Sequence, residues 1–239
     1  MTDERWHVGV LIPARNEEDL LPRCLASVLD ACAAVADKAT CDVVVAVDRS
    51  MDDSYAIAQK MLASAGVAIR TEAGVVGIAR AMAARVALRR TTQRPCRTWL
   101  ANTDADCQVP REWLVNQLSL AHAGVEAVAG IIDVDSFDEH DPCVPERFRS
   151  TYQLYADGTH PHVHGANLGV RADAYLRSGG WADLRTAEDH DLWRRLQTSG
   201  ARRASPSHLR VLTSGRRVGR APMGFAAALA AHNEVSLDA

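Results

Sequence analysis

The chain has no uninterrupted apolar run approaching the roughly 18 residues that a membrane-crossing helix needs, so no transmembrane segment is expected. Its opening residues, Met1-Thr-Asp-Glu-Arg-Trp6, carry acids and no apolar stretch, so no secretory signal is expected there. The six cysteines (Cys24, Cys32, Cys41, Cys96, Cys107 and Cys143) include no Cys-x-x-Cys pair, which argues against a zinc ribbon or a disulfide framework. Reduced thiols in a cytoplasmic protein are the expectation. Lysine is almost missing, with Lys38 and Lys60 beside 25 arginines, and the net charge is −3. That balance excludes a generally basic nucleic-acid binder, and no nucleic-acid partner is expected. Internal repeats and low-complexity segments are also absent. What remains is 239 residues with 47% hydrophobic and 24% charged content, the composition of a globular protein large enough for a sizeable core.

Short apolar runs alternate with helical patterns through the first half. Val8–Ile12, Val43–Val47, Val67–Ile69, Arg97–Asn102 and Ala127–Ile132 read as strands. Between them lie helices carrying Leu20, Leu21, Leu25, Val28 and Leu29, then Ile57, Met61 and Leu62, then Ile78 to Leu88, then Trp113 to Leu120. Continuously apolar strands separated by helices predict an α/β fold, a mainly parallel sheet with helices on both faces. Such sheets bind ligands beyond the carboxyl ends of their strands. The polar turns there are Pro13-Ala-Arg-Asn-Glu17, Asp48-Arg-Ser-Met-Asp-Asp-Ser54, Asp104-Ala-Asp106 and Asp133-Val-Asp135, and each contains an acid.

Asp104 and Asp106 stand two apart at the end of the fourth strand, so an extended chain aims both carboxylates to one side. Two hard oxygen donors suit Mg²⁺ or Mn²⁺ that also holds a phosphate, whereas the plain alternative is a solvated turn before a helix. The second half is irregular. Asp133 to Asp141 packs five acids into nine residues and reads as a mobile loop. His160, His162 and His164 alternate, Gly165–Val170 reads as a short strand, and Arg171–Ser178 as a helix stopped by Gly179-Gly180. Thr186 to Leu196 reads as a helix entered through acids, which suits its N-terminal dipole end. Leu192 to Arg220 holds eight arginines and no acid, and a final helix is expected from about Pro222 to His232.

In this order the pieces Ile12-Pro-Ala-Arg-Asn-Glu-Glu18, Val47-Asp-Arg-Ser-Met-Asp-Asp-Ser54, Asp104-Ala-Asp106, Gly165-Ala-Asn-Leu-Gly-Val-Arg171 with Gly179-Gly-Trp181, and Glu188-Asp-His-Asp-Leu-Trp-Arg-Arg-Leu196 make the chain resemble the family 2 glycosyltransferases of the Rossmann-like GT-A fold, over roughly residues 7 to 215. The resemblance implies one GT-A domain across residues 1–239. About 7–132 would form a nucleotide-sugar half and about 133–220 an irregular acceptor and catalytic half, with a helix in 221–239. It implies an inverting enzyme that moves one sugar from a nucleotide diphosphate sugar to an acceptor hydroxyl. Nothing resembles the Gln-x-x-Arg-Trp signature of processive synthases, so transfer of single hexose units is the expectation.

Residue by residue, the resemblance assigns Pro13, Ala14, Arg15, Glu17 and Asp48 to the nucleotide, and Arg80 matches a position near the third helix start. Asp106 would contact a Mg²⁺ or Mn²⁺ ion most directly and Asp104 would lie near the sugar and ribose, with His208 completing the metal shell as a histidine does in some relatives. Asp189, beside Glu188, is the expected general base, since inversion needs a carboxylate to take the proton of the attacking hydroxyl. Glu188, Asp189 and Asp191 also make sense as a helix cap alone. Arg216 and Arg217 fit a loop closing over the pyrophosphate, where bidentate guanidinium contacts are strong. His164 and Asn167 lie where the family receives its acceptor, and Trp181 either stacks on a sugar face or sits in the core. The implied partners are a UDP-sugar, with a GDP-sugar as second choice, and a small-molecule, lipid or glycan acceptor. A homo-oligomer is compatible with all of this.

Two departures and two alternatives belong beside that reading. Arg49 stands where the family usually has a second acid, and the family's Asn near the third helix start is absent from Ile78-Ala-Arg-Ala-Met82. A sugar-phosphate nucleotidyltransferase would need a Gly-rich phosphate loop, which Pro13–Glu17 is not. A non-catalytic nucleotide-sugar-binding module remains compatible with the same motifs.

Overall fold

Strand β1 (Trp6–Ala14) and strand β2 (Ala39–Asp48) run parallel and are buried almost throughout. The computed structural model describes residues 5–221 and 224–233. Helix α1 (Leu21–Ala34) lies between these strands in the chain and buries Leu21, Cys24, Leu25, Val28 and Ala31, the stripe that a 3.6-residue period predicts. Helix α2 (Ser54–Leu62), β3 (Gly66–Thr71), α3 (Val76–Arg90), β4 (Thr98–Asn102) and α4 (Trp113–His122) follow, with β3 and β4 parallel to their neighbours. The expected strands and helices of this half are all present, each within a few residues of its predicted bounds.

The second half continues with β5 (Ala127–Ala129), β6 (Ile131–Val134), α5 (Val144–Thr151), β7 (Leu168–Arg171), α6 (Ala172–Arg177), α7 (Glu188–Thr198), β8 (Arg203–Ala204), β9 (Arg210–Thr213) and α8 (Phe225–Ala230). The main sheet has the order β3-β2-β1-β4-β7-β5-β8, with β7 antiparallel to both its neighbours, and β6 pairs with β9 in a separate two-stranded parallel sheet. Side chains alternate across the main sheet. Val8, Val10, Ile12, Val43 and Val45 pack with α1, α2 and α4, while Leu11, Val44, Ala46 and Leu100 pack with α3, α6 and α7. Among the described residues no helix is long and apolar enough to cross a membrane.

Three expectations for the second half give way. The single strand Ala127–Ile132 is two strands that break at Gly130 and join different sheets. The cause is Asn167, whose Nδ2 donates to the carbonyls of Ile131 and Leu209 at 2.9 and 3.0 Å while Gly130 N donates to its carbonyl at 2.8 Å. A Cβ on Gly130 would lie 2.2 Å from Asn167 Nδ2, so only glycine allows this approach. The expected strand Gly165–Val170 opens with a 3-10 turn at Gly165–Asn167 before β7 begins. The acidic stretch 133–141 is tethered rather than mobile. Asp133 pairs with Arg210 at 2.9 Å, Asp135 with Arg23 at 2.8 Å, and Glu139 accepts from Arg217 N at 2.8 Å. The expected start of the last helix, Pro222, lies outside the described residues, and the helix is seen from Phe225.

Asn167 is wholly buried, and its Oδ1 also accepts from Trp113 Nε1 at 2.9 Å. Replacing it by alanine removes one partner from each of three buried polar groups. Asn167→Ala is therefore expected to lower the unfolding free energy by about 2–4 kcal/mol in urea denaturation. A loss below about 0.5 kcal/mol would show that these bonds contribute little to holding the two sheets together.

Candidate active site

The carboxyl ends of β1, β2 and β4 open into a cavity of about 860 Å³, closed on the far side by the segment before α7, the loop after β9 and α8. The first two turns clasp each other. Asn16 and Arg49 take left-handed backbones, with φ of 51° and 48°. Asn16 N donates to Ser50 Oγ at 3.0 Å and Asn16 Oδ1 accepts from Met51 N at 2.8 Å. Glu17 N donates to Ser54 Oγ at 2.8 Å, and Glu18 Oε2 accepts from Asp53 N at 3.0 Å. A polar floor made of two loops is thereby as fixed as an element of secondary structure.

Asp48 is buried, and its carboxylate accepts from Thr71 Oγ1 at 2.8 Å and from Gly74 N at 2.9 Å. It lines the cavity while tying β2 to the end of β3. Pro13, Ala14, Arg15 and Glu17 line the same floor. Two arginines then organise the acids. Arg80 on α3 is 2% exposed, and donates to Asp104 Oδ1 at 2.6 Å, to the Gly165 carbonyl at 3.2 Å and to Glu188 Oε1 at 3.3 Å. Helix α3 comes this close because Gly77 has no side chain, since a Cβ there would lie 2.1 Å from the Ala182 carbonyl. Arg216, after β9, grips both oxygens of Glu17 at 2.6 and 2.9 Å and Asp106 Oδ2 at 2.6 Å.

The carboxylates respond to burial and to one another. Burial and then the neighbouring Asp104 charge push Asp106 up to about 6, partly countered by Arg216. Glu188 is also pushed up by burial, against the pull of Arg80. Asp189 lines the cavity, with Oδ2 held at 2.8 Å by Gly165 N and Oδ1 at 2.8 Å by His190 N.

A divalent cation fits the turn after β4. Ligand atoms of Asp104, Asp106 and Cys107 lie within 4.8 Å of one another. Cys107 offers only a soft sulfur, which a hard divalent cation binds poorly, so the usable donors are the two carboxylates. That is an oxygen set suited to Mg²⁺ or Mn²⁺ rather than to a soft ion. His208 lies elsewhere. It is exposed on a second cavity with Asp157, Thr159 and His160, and it does not join the carboxylate pair as expected.

Three more expected positions are not brought to the cavity. Asn167 spends its whole amide on the core contacts described above, leaving nothing to offer an acceptor. Trp181 is 6% exposed and lies beneath Arg80, 5.2 Å from guanidinium carbon to ring centroid, which is the core alternative rather than a sugar platform. Arg217 points outward and fastens its amide to Glu139. The alternating histidines pack as aromatic rings instead. His162 and His164 stack with Tyr152, with centroids 4.0 and 6.0 Å from its ring. Residues the sequence did not flag also line the cavity, among them Arg185, Arg220 and Phe225. Arg220 and Arg185 sit in arginine-rich or loop segments whose spacing carries no site signal, and Phe225 is a lone aromatic before an alanine run.

The sequence profile described as Glycosyl transferase family 2 matches residues 9–178, and the chain belongs to that family. No curated protein matches the chain. Among solved structures it is similar to the mannosyltransferase PcManGT from Pyrobaculum calidifontis in complex with GDP-Man and Mn²⁺, at 21% identity and a TM-score of 0.66 over 90% of this chain and 59% of that one. It is similar to S. aureus TarS 1-349 at 15% identity and a TM-score of 0.63, over 87% of this chain and 60% of that one. A third similar structure is GalNAc-T7 with UDP, GalNAc and Mn²⁺, at 14% identity and a TM-score of 0.61, over 88% of this chain and 43% of that one. The likeness is one of fold, the GT-A arrangement, and the chain spans six-tenths or less of the length of each of these proteins.

Two outcomes follow from the charges. Arg80→Met strands Asp104 and Glu188 beside a lost cation, and is expected to cost about 3–5 kcal/mol in chemical denaturation, while the surface change Arg194→Met costs under about 0.5 kcal/mol. The second concerns His164, which burial pushes down from 6.5 to about 4. The unfolded chain binds this proton near 6.5 and the folded chain refuses it until about 4, so stability is lost as pH falls through that window. Asp106, raised from 3.8 to about 6, works in the opposite direction over most of the same window. The His164 share is therefore read as a difference. Between pH 7 and pH 4 the metal-free wild type should lose on the order of 3 kcal/mol more than His164→Asn. Equal losses would mean that the imidazole is not buried in its neutral form.

Proposed function

We propose that the protein is an inverting, metal-assisted glycosyltransferase that moves a single sugar from a nucleotide diphosphate sugar to an acceptor hydroxyl. The observation that carries this reading is the meeting in one cavity of Asp104 and Asp106 from the β4 turn with Asp189 from α7, linked through Arg80 and Glu188. Pro13, Ala14, Arg15, Glu17 and Asp48 form the nucleotide end, so residues 7–132 carry most of the donor site and the following half carries the acceptor side. Mg²⁺ or Mn²⁺ at Asp106 and Asp104 would neutralise charge on the departing nucleotide diphosphate. Arg216, which grips Glu17 and Asp106, exchanges those carboxylates for the diphosphate when donor binds. Asp189, oriented by the Gly165 and His190 amides, takes the proton of the attacking hydroxyl. The similar structures hold GDP-Man in one case and UDP in another, so both nucleotide classes are tested as donors.

The test has two parts. Thermal-shift measurements with Mn²⁺ against UDP-, GDP- and dTDP-sugars should show stabilisation by one nucleotide class, lost in Asp106→Ala. No shift with any of them overturns the donor reading. With the stabilising donor, Asp189→Asn should keep nucleotide binding within about threefold and lose about 100- to 10,000-fold in sugar transfer or donor hydrolysis. Unchanged turnover would sink the base assignment.

A further inference from the structure

Tyr152 stands behind His164, outside the cavity, and was not singled out by any sequence motif. Its hydroxyl accepts from Ile132 N at 3.0 Å and lies 2.9 Å from His164 Nε2. Burial raises the Tyr152 phenol to about 12, so it carries its proton. The ring is packed against His162, stacked at 4.0 Å with 6° between planes, and against Phe148 at 5.2 Å and tilted by 41°. His162 is itself anchored through Nε2 to the Gln153 carbonyl at 3.1 Å.

These contacts leave one good assignment of protons. The tyrosine oxygen already receives the Ile132 N–H, so its single proton is free to go to His164 Nε2. Were Nε2 protonated instead, two N–H groups would aim at one oxygen and the tyrosine proton would be left without a partner. The cost of such an unmet buried donor favours the first arrangement by about tenfold or more. Burial also holds His164 neutral, with its ordinary value pushed down to about 4. A neutral imidazole that accepts at Nε2 carries its proton at Nδ1. His164 lines the cavity, and Nδ1 has no hydrogen-bond partner among the described residues. The next residue, Gly165, holds Asp189 by its amide, Asp189 lines the same cavity as His164, and its charge acts on the His164 ring.

We propose that Tyr152 is a positioning residue that locks His164 in the Nδ1–H form, so that the acceptor side of the site presents a fixed hydrogen-bond donor beside Asp189. Its occupant is an acceptor oxygen with a free lone pair, the reacting hydroxyl oxygen or one next to it, or a water when donor is hydrolysed. A group that is only a donor, such as an ammonium, is rejected. This assignment rests on the glycosyl-transfer reading for the name of the occupant, and not for the tautomer.

The experiment separates the two. Nitrogen-15 NMR of the full chain labelled at histidine, assigned by comparison with His164→Asn, reports which ring nitrogen of His164 bears the proton. Nδ1–H is expected in the wild type, with Nε2–H appearing in Tyr152→Phe. An Nε2–H signal in the wild type, or a tautomer balance that Tyr152→Phe leaves unchanged, overturns the proposal without any activity being needed. The second readout is Mn²⁺-dependent hydrolysis of UDP-glucose and GDP-mannose. An asparagine amide can replace an Nδ1–H donor, whereas a glutamine amide reaches to the Nε2 position. His164→Gln should turn over at least about tenfold more slowly than His164→Asn, with nucleotide binding the same in both. Equal rates in the two variants overturn the orienting role. If neither nucleotide sugar is bound or hydrolysed by the wild type, the glycosyl-transfer reading fails and the NMR result still decides the tautomer.

Discussion

The buried guanidinium of Arg80 is the contact on which the rest of the site depends. It is held in place from below by Trp181 and spends its donors on the β4 turn, the Gly165 carbonyl and Glu188 at the start of α7. Without it, two carboxylates would approach each other in a poorly solvated cleft with no counterion. With it, segments separated by more than a hundred residues share one electrostatic well. The glycine at position 77 is part of the same device, because it lets α3 approach the 182–184 backbone closely enough for Arg80 to reach all three partners.

Arg216 plays a complementary part at the other carboxylate. It is half-buried, ties the loop after β9 to Glu17 and Asp106, and is matched against acids that a bound cation would otherwise face. The two arginines therefore differ in kind. Arg80 is locked in the interior and shapes the site, whereas Arg216 sits on a loop and can trade one set of anions for another. Opposite them, Tyr152, His162 and His164 form an aromatic block, tied to β6 where the Tyr152 hydroxyl accepts from Ile132 N.

Much of the fold was legible because its strands are buried on both faces and read as unbroken apolar runs, from Val8–Ile12 through Val43–Val47. The carboxylate turns were legible for the same reason, since each follows such a run directly. Residues whose role is set by a distant partner were not legible in this way. Asn167 looked like an acceptor contact because of its place in a motif, yet Trp113, Ile131 and Leu209 claim its whole amide. Trp181 and His208 were ambiguous as isolated residues, and only packing placed one under Arg80 and the other on a separate cavity. The break at Gly130 was hidden because Ala127–Ile132 is continuously apolar, and the kink is imposed by Asn167 from another segment.

The sequence by itself determined the alternation of elements, the parallel core of the sheet and the family, because periodicity and turn chemistry are local properties of the chain. It also determined that acids stand at the strand ends. Only the tertiary structure decided which acid meets which arginine, which histidine faces the cavity, and which way that histidine carries its proton. Those outcomes depend on burial and on hydrogen-bond partners from elsewhere in the chain, and neither is written in the spacing of residues along it.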